Sequence, residues 1–111
     1  MNIQEKNLID KCLKRYSNKC FESLVNNNKK YTESIKRHFE KELNKTINKI
    51  KNVNLVNPTD EDIFLIRDCI LDYMDSEEYK YNIREESIFQ KYNKLMWNIK
   101  KEKNIDFNFC C

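Results

Sequence analysis

Apolar residues recur along this chain at steps of three and four in four separate stretches, with polar residues between them. That spacing lines them up on one side of an α-helix. In the first stretch Ile9, Cys12, Leu13, Tyr16, Cys20 and Leu24 share a face, which predicts a helix from about Ile3 to Val25. Asn2 and Glu5 have capping-box spacing at its start, with Asn where Ser or Thr is usual. In the second, Tyr31, Ile35, Phe39, Leu43, Ile47 and Ile50 predict a helix over 31–51. Its four-residue steps advance by about 40° each, so the stripe winds around the cylinder. Ile35, Phe39, Leu43 and Ile47 are expected to be buried.

The third helix has the clearest start. Pro58 disfavours helix at Asn57, Thr59 is a good N-cap, and Asp60, Glu61 and Asp62 fill the first turn, where the helix dipole favours anions. Ile63, Ile66, Ile70, Tyr73 and Met74 form its stripe, and it is expected to run over 60–75. Asn82 and Glu85 form another cap pair and open a fourth helix over 83–103, with Ile88, Tyr92, Leu95, Met96 and Ile99 inward. "VNLV" (Val53 to Val56) reads as a connection or a short strand, and 104–111 is a short apolar tail. Four amphipathic helices with short connections indicate an all-α fold, a compact antiparallel four-helix arrangement in a single domain over 1–111.

Composition narrows the chemistry. The chain lacks glycine, so it carries no P-loop, dinucleotide-binding fingerprint or glycine-flanked nucleophile elbow. Its wealth of Lys, Asn and Ile, with no glycine or alanine and one proline, points to an AT-rich genome. No run of about 18 apolar residues is present, so no membrane span is expected. The first residues, "MNIQEKNLIDK", lack a signal-peptide pattern, and a cytoplasmic location is expected, the host cytoplasm if a phage encodes the protein. Five cysteines (Cys12, Cys20, Cys69, Cys110 and Cys111) form no C-x-x-C pair, and His38 is the sole histidine. Neither a metal site nor a cofactor is expected. Cys12, Cys20 and Cys69 read as reduced, small apolar core residues.

Charge is distributed unevenly. Residues 1–57 carry 13 bases and 6 acids, residues 58–78 carry 1 base and 8 acids, and residues 79–111 carry 7 bases and 4 acids. On the third helix Glu61, Asp68, Asp72 and Asp75 fall within about 60° of one another, opposite the core face. The stripe is either a solvated face set against basic neighbours or a surface for a basic or nucleic-acid-binding protein. Leu65 projects beside Asp72, and Phe64 and Leu71 lie on the other flank. That leaves the helix either central in the fold or apolar toward a partner. Trp97 points about 160–180° away from the fourth helix's stripe, between Lys94 and Lys101, and is a candidate interface anchor.

These features lead to a small non-enzymatic interaction protein that binds and regulates or inhibits another protein. Its protein-binding residues would be Glu61, Leu65, Asp68, Asp72, Asp75 and Trp97. Compact glycine-poor chains from AT-rich sources suit accessory proteins of phages or plasmids, including anti-defence inhibitors of the anti-CRISPR kind. The alternative is a nucleic-acid binder using the basic first half, with Lys30, Arg37, Lys41, Lys45, Lys94 and Lys101 on phosphates. Catalytic equipment is not expected. Asp68 and Asp72 have the spacing of bundle metal ligands, but no inward Glu-x-x-His accompanies them.

Overall fold

A computed structural model describes residues 2–26 and 32–103. Four helices follow in chain order: α1 (Ile3–Asn26), α2 (Glu33–Lys51), α3 (Asp60–Met74) and α4 (Ile83–Glu102). They form an antiparallel four-helix arrangement, and no strand occurs among the described residues. Val53 to Val56 is therefore a connection. The Asn54 carboxamide accepts from the Val56 and Asn57 backbone N–H groups, both at 3.0 Å, which holds that segment in a turn. Tyr31 and the tail 104–111 lie outside the described residues.

Local chemistry starts each helix. The Glu5 backbone N–H donates to Asn2 Oδ1 at 2.8 Å. Thr59 and Asp62 form a full capping box, with Asp62 N–H to Thr59 Oγ1 at 3.1 Å and Thr59 N–H to Asp62 Oδ2 at 3.0 Å. Asn82 Oδ1 accepts from the Arg84 and Glu85 backbone N–H groups at 2.9 and 3.2 Å. α2 starts after Thr32, whose side chain makes no cap bond, and ends on Lys49 and Lys51, which suit the negative end of its dipole.

The core belongs to α1, α3 and α4. Ile9, Ile66 and Ile70 are 0% exposed, and Leu8, Cys12, Leu13, Cys69, Tyr73, Phe89 and Tyr92 close around them. α3 touches both α1 and α4, which explains its broad apolar circumference. α4 runs against both neighbours: Lys91 meets Glu5, Asn93 meets Arg67, and Lys103 meets Asp60. α2 packs chiefly on α1 and makes few contacts with α3 or α4.

The position of α2 overturns the expected burial of its stripe. Ile47 is buried and Leu43 is half-buried, but Ile35 and Phe39 are exposed. A stripe with a four-residue period rotates about 120° over three steps, whereas α2 has one substantial neighbour to face. The rotation brings Ile47 against the fold and turns Ile35 away. The half-buried Lys36, rather than Ile35, lies in the same angular sector as Ile47.

The core also contains charge. Glu5 is buried at 5% exposure, its carboxylate accepts from Lys91 Nζ at 2.8 Å, and it is hydrogen-bonded by the Tyr92 hydroxyl. Burial, reinforced by Glu5, pushes the Tyr92 phenol up to about 12. The thiols of Cys12, Cys20 and Cys69 are free and buried. Burial pushes Cys12 up to about 12 and raises Cys69 as well, so both are inert thiols rather than nucleophiles.

Candidate functional site

The acids of α3 divide into two groups. Asp72 turns toward α1, where it is hydrogen-bonded by Arg15 and accepts from Lys19 Nζ at 2.7 Å. Arg15 also lies 3.7 Å from Glu78 just past α3. Lys11, one turn before Arg15, donates to the Tyr73 hydroxyl at 3.0 Å and sits over that ring. The ridge Lys11–Arg15–Lys19 on α1 is thus the counterpart of the α3 C-terminal half. Leu65, on the same side as Asp72, is half-buried against the core. A cleft of about 570 Å³ runs along Lys14, Arg15 and Lys19, but Asp72 and Glu78 engage two of those three bases.

Burial alone would raise the Asp72 carboxyl. The hydrogen bonds from Lys19 and Arg15 outweigh it and hold the group below its ordinary value of 3.8. A carboxyl lowered on folding contributes stability above its unfolded pKa and loses it as pH falls through the folded pKa. Asp72→Asn should therefore cost about 1 kcal/mol at pH 7 and flatten the fall in stability below about pH 4. Urea melts between pH 2 and 7 measure both effects. An unchanged pH dependence would mean that Asp72 does not hold α1 to α3.

The second group faces outward. Asp68 and Asp75 are exposed, and Asp75 also caps the α3 C-terminus. Glu61 is exposed at the edge of a small cleft shared with Asn48, Lys49 and Leu65. Arg67 crosses from α3 to α4: its Nε donates to Asn93 Oδ1 at 3.1 Å, and its Nη1 lies 3.0 Å from Asp68 Oδ1. Asn93 is one turn before Trp97 on α4. The bridge Asp68–Arg67–Asn93 therefore ties the outer edge of α3 to the side of α4 that carries Trp97. Trp97 is 47% exposed, with Lys100 Nζ 5.2 Å from its ring. Lys94 and Lys101 are exposed nearby in sequence.

The structure thus leaves Glu61, Asp68 and Asp75 exposed on the outer side of α3, links Arg67 beside Asp68 to Asn93 one turn before Trp97, turns Asp72 toward α1 and half-buries Leu65 against the core. Sequence reasoning missed the pairing of Arg67 with Asn93. Their i, i+4 relation to Leu71 and Trp97 places them on the outer flanks, but only the pairing of α3 with α4 brings them together. On α2, Arg37, Lys41 and Lys45 are exposed, and Lys45 lies 3.5 Å from Glu42. Lys30 lies outside the described residues. Among the described residues no helix is long and apolar enough to cross a membrane, and no three His, Cys, Asp or Glu side chains are grouped to hold a metal.

No protein family, curated protein or solved structure matches this chain.

Proposed function

We propose that this is a small non-enzymatic interaction protein that binds another protein and regulates or inhibits it through the outer α3/α4 face. One observation carries the reading: the chain's sole tryptophan stands half-exposed on α4, one turn after Asn93, which accepts a hydrogen bond from Arg67 of α3. The fold does not need an indole there, since Phe89, Tyr92, Met96 and Ile99 already supply the buried side of α4. Trp with Arg and polar neighbours is the composition of an interface centre and its rim. Lysines on the α4 side and Asp68 on the α3 side give the face both signs of charge. Such a pattern sets the orientation of a partner more than it adds affinity. The AT-rich, glycine-free composition supports placement among accessory or anti-defence proteins of a phage or plasmid, acting in the host cytoplasm.

A second reading, nucleic-acid binding, draws support from α2. Arg37, Lys41, Lys45 and Lys49 follow one another at four-residue steps on its solvent side, all exposed, in a sector of about 120° without an acid.

Capture from the native host with tagged wild type, Trp97→Ala and Asp68→Lys proteins separates the two. The first reading expects one protein partner, bound at least about tenfold more weakly by Trp97→Ala, a loss typical of an interface anchor. Both variants should keep native helix content, because neither side chain is buried. Native-affinity binding by both would remove the α3/α4 face from consideration. Salt-sensitive binding of mixed-sequence DNA or RNA, lost on Arg37→Ala/Lys41→Ala, would establish the second reading instead.

A further inference from the structure

One face of α1 carries its bases in a row. Lys11, Lys14, Arg15 and Lys19 follow one another at steps of three and four, with Asn18 among them and Glu22 at the far end. They line the cleft of about 570 Å³, and Glu78, just past α3, completes the lining. Arg15, in the middle of the row, is only partly satisfied. Asp72 accepts from its Nη1. Its Nε is buried and meets no hydrogen-bond acceptor among the described residues. Glu78 Oε2 lies 3.7 Å from that nitrogen, too far for a hydrogen bond. A buried N–H without an acceptor is uncommon in a folded protein, and it favours an anion that can supply one. The Glu78 side chain is 69% exposed, so it can turn into water and yield its place beside Nε.

The charge of the cleft identifies the anion. Four bases line it, against Glu22 and Glu78. Asp72, which pairs with Arg15 and Lys19, adds a third acid. Asp10 and Glu77 do not line it, and beyond Lys11 the next cleft holds Arg84 and Glu85, one charge of each sign. The bases thus exceed the acids by one with Glu78 in place and by two once it turns away. Two of the bases are uncommitted to a carboxylate. Lys14 makes no ion pair among the described residues, and Lys11 donates to the neutral Tyr73 hydroxyl. An excess of two matches a phosphate monoester, which carries about −1.5 to −2 at pH 7. A carboxylate or a phosphodiester brings a single charge and would only replace Glu78. We infer that this cleft binds a phosphate dianion, with Lys14 and Arg15 on its oxygens and Glu78 displaced into water. The cleft lies within the range of small-molecule sites, about 300–1,000 Å³, so the phosphate is inorganic phosphate or part of a small phosphorylated compound. No α4 residue lines the cleft, and the site does not depend on the Trp97 face.

The test titrates the purified chain with inorganic phosphate, glycerol 1-phosphate, dimethyl phosphate and acetate, read by calorimetry and amide chemical shifts. The two dianions should bind saturably in the millimolar range or tighter, and the two monoanions much more weakly. Whichever dianion binds more tightly assigns the site to free phosphate or to a phosphorylated compound. Lys14→Ala should weaken binding about two- to fivefold, and Glu78→Gln should tighten it by a similar factor, because it removes a competing carboxylate. Both positions are exposed, so helix content should not change. Lys45→Ala, on the far face of α2, should leave the affinity as it is. Absence of saturable binding at millimolar phosphate and glycerol 1-phosphate would overturn the inference. Equal affinity for acetate or dimethyl phosphate would overturn the dianion, and binding indifferent to both Lys14→Ala and Glu78→Gln would overturn the cleft.

Discussion

Ile66→Ala is expected to lower the free energy of unfolding by about 2–5 kcal/mol, whereas Phe39→Ala should lower it by about 1 kcal/mol or less. Ile66 is 0% exposed between α1 and α4, so its truncation removes three methyl or methylene groups from a closed core and leaves a cavity. The spread in the expected cost reflects how far Cys69, Ile70 and Tyr92 can relax into the gap. Phe39 is 40% exposed on α2, so part of its ring already faces water and no closed cavity forms on truncation. Urea unfolding followed by circular dichroism measures both changes. Equal losses for the two variants would show that the N-terminal half of α2 packs into the core.

Lys91→Ala should cost about 2–4 kcal/mol, more than its own exposed side chain suggests. The carboxylate of Glu5 is 6% exposed, and Lys91 is the ion-pair partner found for it, at 2.8 Å. Removing the ammonium leaves a charge in the core with the Tyr92 hydroxyl as its remaining side-chain partner. Glu5→Ala has the opposite defect: it frees Lys91 to enter water but strips Tyr92, 2% exposed, of its acceptor, at about 1–3 kcal/mol. The double variant Glu5→Met/Lys91→Met removes both charges together and should be milder than the sum of the single losses. Strict additivity in that cycle would mean that the two groups do not interact in the folded protein.

Both predictions depend on information absent from any local stretch. What the sequence by itself determined was local. Thr59 with Asp62, Asn82, and Asn2 each complete a helix start within three residues, so those boundaries depend on no other part of the chain. The stripes of α3 and α4 were legible for the same reason, since helical periodicity is intrinsic to the backbone. So was the outward direction of Trp97, on the side of α4 away from Ile99.

Tertiary structure decided which stripes found a neighbour. Ile35 and Ile47 belong to one sequence pattern, yet the winding of that pattern past a single neighbour buries one and exposes the other. Asp72 and Asp68 belong to one acidic stripe, yet α1 takes the first with Arg15 and Lys19, from 53 to 57 residues away, and leaves the second on the surface. The candidate site followed the same division. Asp68 and Trp97 were visible as residues, but the link between their helices is the Arg67–Asn93 bond, which exists only because α4 lies antiparallel to α3. Spacing along a helix is set within one turn, over about 5 Å of rise. The choice of neighbour is set by how several apolar faces are buried together, and no single helix contains that information.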